Sequence, residues 1–199
     1  MLIPELNLSY GQLAWALNLG APPLRQMLDQ LNYLRQLGIP FSATERRHGR
    51  GHRRRYGYDH LIECGVGLYA LRQRIRPADV KLVLITHRAD ARKMYRKALA
   101  DQPESALRAP WVKSRGAIVP LLGKEIWLRM HDRFAEAPGT FDVVGTGHLE
   151  AAPPGSTLFD MVERYQGEPM RGLVPLSRLV LQWTAWALEA PEIKPGPKA

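Results

Sequence analysis

Apolar positions in the first part of the chain recur at helical spacing between clear stop signals. Leu13, Ala14 and Leu17 share one face of a first helix. Ser9 and Gln12 have the Ser-x-x-Gln spacing of a capping box, in which each side chain satisfies the other's free backbone N–H, and Gly20 ends the helix. A second helix is predicted from about Pro23 to Leu37, with Leu24, Met27 or Leu28, Leu31, Leu34 and Leu37 on its apolar side. Pro22 and Pro23 are tolerated at its start, where the missing N–H costs nothing, and Gly38 stops it. The short join Leu19-Gly20-Ala21-Pro22 makes the pair a helix-turn-helix. Its second helix turns Arg25, Gln26 and Asp29 outward, near an N-terminus suited to base edges or phosphates. The same pattern also fits a plain helical hairpin.

Beyond Gly38, Ile39, Phe41 and Ala43 alternate with Pro40, Ser42 and Thr44, which predicts a short strand, with Arg54-Arg55-Tyr56 as its returning partner. Asp59 is expected to cap a further helix carrying Leu61, Ile62, Val66, Leu68, Tyr69, Leu71 and Ile75, in which Gly65 and Gly67 weaken the helix or permit close packing. Pro77 starts the next helix, with Val80, Leu82, Val83 and Leu84 expected in the core. Residues Arg88 to Lys97 read as a solvated basic helix that could also touch phosphate.

A polar stretch around Asp101 to Ser105 places a domain boundary or hinge between about residues 98 and 112. The segment 126–130 fits both periods: Ile126, Leu128 and Met130 alternate, yet Leu122, Ile126, Met130 and Phe134 repeat every four residues. Strands are favoured, because Phe141 to Val144 follows Pro138-Gly139 as a further β segment. Leu158 to Tyr165 is a short helix candidate. Ser177 to Glu189 is the strongest helix of this half, and its stripe of Leu179, Val180, Trp183, Trp186 and Ala187 reads as core or, alternatively, as a dimer interface.

Charge changes the picture. The ten residues 46–55 hold six arginines, two histidines and two glycines. No packed core holds that many charges unpaired, so the run faces water or a polyanion. Arginine's planar fork suits phosphates and guanine edges. Residues 1–99 carry 17 Lys and Arg against 7 Asp and Glu, whereas residues 100–199 carry 11 against 12, so the net charge of +9 resides entirely in the first half. That half looks built to meet phosphate; a solvated basic loop is the plainer reading of the run itself.

Three segments together resemble the DNA-binding domain of MerR-family transcription regulators: Ser9-Tyr10-Gly11-Gln12-Leu13-Ala14, then Leu31-Asn32-Tyr33-Leu34-Arg35-Gln36-Leu37-Gly38-Ile39, then Arg53-Arg54-Arg55-Tyr56 followed by Asp59-His60-Leu61. The resemblance covers roughly residues 6 to 85. It implies a helix-turn-helix, an arginine-bearing wing ending in a tyrosine, and two more helices. The chain departs from the family in a longer second helix, a Gly-Arg-Gly in the wing, no long dimerisation helix and no cysteine set, so a metal-responsive activator is not implied. A generic winged helix fits nearly as well.

The chemistry of catalysis is sparse. Cys64 is the single cysteine and sits in an apolar pattern, which makes it a core residue rather than a nucleophile. His48 and His52 lie four apart across glycine, and zinc needs two further ligands. His131-Asp132 and His148, with Glu125 or Glu136, form no recognisable acid–base constellation. No phosphate-binding glycine loop or nucleophile elbow is present. No metal, no cofactor and no enzymatic activity are expected.

The expectation is therefore an α+β protein: a mainly helical N-terminal winged helix-turn-helix domain over residues 1–98, then a smaller mixed α/β C-terminal domain over 112–190, then a disordered tail over 191–199. The function expected is a DNA-binding transcription regulator, soluble and cytoplasmic, that meets double-stranded DNA as a homodimer. The C-terminal domain is expected to serve dimerisation, a protein partner or a small-molecule effector. Nucleic-acid contacts are expected from Tyr10, Gln12, Arg25, Gln26, Arg46, Arg47, Arg50, His52, Arg53, Arg54, Arg55 and Tyr56. The alternative is an RNA-binding or non-specific accessory protein of replication or architecture.

Overall fold

A computed structural model describes residues 1–41, 45, 54–113, 126–130, 141–145 and 173–192. The described chain is mainly helical. Helices α1 (Tyr10–Leu17), α2 (Arg25–Leu37), α3 (Tyr58–Arg72), α4 (Pro77–Thr86), α5 (Arg88–Ala100) and α6 (Glu104–Arg108) follow in order, with a 3-10 turn at Pro110–Lys113. Strands β1 (Ile126–Met130), β2 (Phe141–Gly145) and β3 (Leu173–Pro175) precede a last helix, α7 (Leu176–Leu188).

Local chemistry explains several of the helix ends. The Ser9 hydroxyl accepts from the Gln12 N–H, and the Gln12 side-chain oxygen accepts from the Ser9 N–H, which completes the capping box of α1. Gly38 closes α2 in the left-handed conformation, with φ of 96°. Helix α2 starts at Arg25 rather than Pro23, and Leu24, expected in the core, is 69% exposed. Asp59 does not cap α3. Gly57 occupies that position, its N–H donates to His60 Nδ1, and Asp59 lies within the first turn.

Helix α3 is the centre of the molecule, buried along almost its whole length. It packs on α1, α2, α4, α5 and α7. Its two glycines permit close approach. A β-carbon at Gly67 would stand 3.0 Å from a Leu34 methyl of α2, and one at Gly65 would overlap the Trp183 ring of α7. In α4, Val80, Val83 and Leu84 share the buried face; Leu82 lies off that 3.6-residue stripe and is exposed, contrary to expectation.

The strand reading of 126–130 and 141–144 matches β1 and β2. The sheet is antiparallel with order β2-β1-β3, pairing Leu128 with Val143 on one side and Val174 on the other. The Ser177 hydroxyl accepts from the Ile126 N–H and ties β1 to α7.

Helix α7 does not build a separate core among the described residues. It packs against α1, α3, α5 and α6, and its Val180, Leu181, Trp183 and Ala187 belong to the same apolar cluster as Leu13, Leu61 and Leu99. The stripe expected as core or dimer interface is thus core at those positions. Nor is the polar stretch near residue 101 an open hinge, for Gln102, Ala106 and Val112 are buried there. Polarity along the chain reported the outward faces of these short turns, while Ala106, Val112 and the buried Gln102 dock them. The helix candidate Leu158–Tyr165 and the tail beyond Glu192 lie outside the described residues.

Candidate nucleic-acid interface

The α1–α2 turn is held by its own polar groups. The Asn18 side-chain amide donates to the carbonyls of Ala21 (3.3 Å) and Pro22 (2.7 Å). Gly20 has φ of 72°, and a β-carbon there would overlap the Trp186 ring. Trp186 in turn meets Trp15 edge-on, with centroids 5.3 Å apart. The hairpin is therefore braced by α7 from behind.

Burial of Met27, Leu31 and Leu34 leaves the opposite side of α2 to solvent. Arg25, Gln26, Asp29, Asn32, Tyr33 and Gln36 are exposed there. Spacings of three and four residues make this one polar stripe, rich in amides and low in net charge. Arg25 and Gln26, two of the expected contacts, sit on its first turn.

Phe41 and Tyr56, on either side of the arginine run in the sequence, are both buried. Residues 46–53, and with them Arg46, Arg47, Arg50, His52 and Arg53, lie outside the described residues. Arg54 and Arg55 are exposed at the end of the run. The Arg54 guanidinium stands 5.2 Å from the Phe41 ring centroid. Phe41 is 5.2 Å from Tyr56, and Tyr56 is 6.3 Å from Tyr10. The Arg35 guanidinium of α2 stands 5.2 Å from the Tyr10 ring centroid. A continuous row of rings thus connects the exit of the arginine run to the middle of α2.

Three expected contacts take structural roles instead. Tyr56 is buried, its backbone pairs with Leu8 rather than with residues 39–41, and burial pushes its hydroxyl up to about 12. The Gln12 amide is committed to the α1 cap and, through Nε2, to the Ala190 carbonyl. Tyr10 is half-buried between α1 and α2, and its hydroxyl donates to Asn32 Oδ1 (3.2 Å) or the Leu28 carbonyl (3.4 Å). Capping and packing used these groups before any ligand could.

The basic segment 88–97 is likewise not a free cationic face. Arg88 and Arg92 pair with Glu63, which is only 1% exposed, at 2.8 and 3.3 Å. Arg88 also donates to the Gly38 carbonyl, Arg92 donates to the Pro40 carbonyl, and Arg96 pairs with Asp59. Arg92 reaches Glu45 at 3.6 Å. The Glu45 carboxylate also accepts from His60 Nε2, because His60 Nδ1 is the acceptor for the Gly57 N–H and the neutral ring then carries its proton on Nε2. Burial pushes the Glu63 carboxyl up to about 7 against the pull of both guanidiniums, and burial lowers the His60 imidazole despite its bond to Glu45. These ion pairs and hydrogen bonds hold Gly38, Pro40 and Glu45 against α3 and α5.

Sequence reasoning passed over Asn32, Arg35 and Glu63. Asn32 was within reach of it, seven residues after Arg25 on the same helical stripe. Glu63 was not, since a lone acid in an apolar helix gives no sign of which arginines will find it. Cys64 is buried as expected, and burial raises its thiol far above its ordinary range. Among the described residues no helix is long and apolar enough to cross a membrane. His131, Asp132, His148, Glu125 and Glu136 lie outside the described residues. No protein-family model, curated protein or solved structure matches this chain.

Proposed function

We propose that this protein is a sequence-specific DNA-binding regulator. Helix α2 lies in the major groove with its exposed stripe toward the base edges, and the arginines of residues 46–55 grip the flanking phosphates. The observation that carries this reading is the solvent-facing stripe of Arg25, Gln26, Asn32, Tyr33 and Gln36 on α2, linked through Tyr10, Tyr56 and Phe41 to the exposed Arg54. Amides and a guanidinium on one helix face match the donor and acceptor pattern of a major groove. Arginines beside them supply affinity without sequence information. Two copies on a palindromic site about one helical turn apart would complete the regulator.

The test is selection from a random duplex pool at two salt concentrations. An enriched motif supports the reading, and a palindrome supports the paired copy. Retention without a motif, lost at high salt, overturns it in favour of a non-specific binder, and tighter binding to RNA than to duplex DNA overturns it in favour of the RNA-binding alternative.

A further inference from the structure

Asn32 has its amide orientation decided by its neighbours. One end of the amide stands 3.2 Å from Arg35 Nη1 and 3.2 Å from the Tyr10 hydroxyl. Arginine carries donors only, so the atom facing it must be the oxygen Oδ1. Arg35 is itself placed by the Tyr10 ring beneath it, and Tyr10 belongs to the other helix of the hairpin. The amide is therefore braced from both helices, and its Nδ2 lies on the side away from Arg35 and Tyr10. Asn32 is exposed, midway along the outward stripe of α2.

We infer that Asn32 is a specificity residue that acts as a hydrogen-bond donor alone. An asparagine that reads adenine uses both ends, accepting from N6 with Oδ1 while donating to N7. Here Oδ1 accepts from Arg35 and faces the Tyr10 hydroxyl, which donates to it or to the Leu28 carbonyl. What remains outward is Nδ2–H, which favours a base presenting only acceptors in the major groove, guanine through O6 and N7 or thymine through O4, over adenine, whose N7 accepts but whose N6 donor would stay unpaired. Tyr10 and Arg35 are the positioning residues for this choice. The inference rests on the proposed binding of duplex DNA by α2 and adds the chemical class of base met at its centre.

A phosphate oxygen would accept the same N–H, and the experiment separates the two. The wild type, N32A, N32D and Y10F are each selected against the same random duplex pool, with thermal melts to show that each is folded. N32D keeps an oxygen toward Arg35 and turns a second oxygen outward. The expected result is a wild-type motif with guanine or thymine at one position. N32A should flatten that position alone, and N32D should exchange it for cytosine, whose N4 donates, with loss of the original base on the order of tenfold. Y10F should admit adenine there, because part of the brace on Oδ1 is gone. A wild-type motif that N32A and N32D leave unchanged overturns the inference while the proposed function stands. Weakening by N32A that is equal at all sequences also overturns it, since that is the signature of a phosphate contact. Absence of any wild-type motif overturns the proposed function itself, and the inference with it.

Discussion

Gly65, in the middle of α3, leaves the space that the Trp183 ring of α7 occupies. A β-carbon on Gly65 would fall inside van der Waals distance of ring carbons Cζ3, Cε3 and Cη2. The helix interior accepts a residue of poor helix propensity because the close approach of two helices repays it. Gly65→Ala should therefore destabilise the protein by about 1–3 kcal/mol through overpacking, although alanine is the better helix former. Thermal unfolding checks this, and a variant as stable as the wild type would show that α7 does not pack here.

Helix α7 lies against α1, α3 and α5, and Trp186 against Trp15 and the Gly20 turn. A chain cut after Ala109 should lose cooperative thermal unfolding, because the removed helix covers the core faces of α1, α3 and α5. Circular dichroism and a melting curve on the truncated chain test it. A sharp transition near that of the full chain would restore the two-domain division expected at residues 98–112.

The buried carboxyl of Glu63 predicts a particular pH dependence. Its folded value, about 7, lies above the ordinary 4.5, so between these the folded protein holds a proton that the unfolded chain has released. Stability from this group is complete below about 4.5 and is lost as pH rises through about 7. The neutral preference of His60 acts oppositely, with stability lost as pH falls below its ordinary 6.5. Because His60 is common to both chains, the difference between Glu63→Gln and wild type isolates Glu63. That difference should move in favour of glutamine as pH rises from about 5 to 7.5. Movement the other way in melts across this range would mean that Arg88 and Arg92 outweigh burial.

Arg54 and Arg55 are exposed at the end of the arginine run. Replacing both with alanine should weaken DNA binding at every sequence and reduce the salt slope by about one unit for each phosphate that is no longer neutralised. Arg25→Ala or Gln26→Ala should instead change the preferred sequence. Binding isotherms at several salt concentrations on two duplexes distinguish these outcomes, and equal effects from both pairs would contradict the division between phosphate grip and base reading.

The thiol of Cys64 is buried within α3. It should resist thiol reagents in the native protein and react only as fast as the core opens. Rapid labelling under native conditions would contradict its burial.

Periodicity and punctuation along the chain determined where most helices lie. Ser9 with Gln12 set the start of α1, Gly38 set the end of α2, and the apolar spacing from Met27 to Leu34 set the buried side of α2 and hence its exposed one. These features are local: a cap or a stripe involves residues within a few positions, so the order of residues is enough to read them. The concentration of positive charge in residues 1–99 was equally legible, because charge depends on composition alone. Only the tertiary structure decided which polar groups remain for a ligand. Arg88, Arg92 and Arg96 read as a solvated face until Glu63 and Asp59 met them from α3, and Tyr56 read as a nucleic-acid contact until Phe41, Tyr10 and His60 enclosed it. The place of α7 and the orientation of the Asn32 amide were decided in the same way. Each depends on partners in other helices, and neither spacing nor propensity encodes which distant residue will stand opposite.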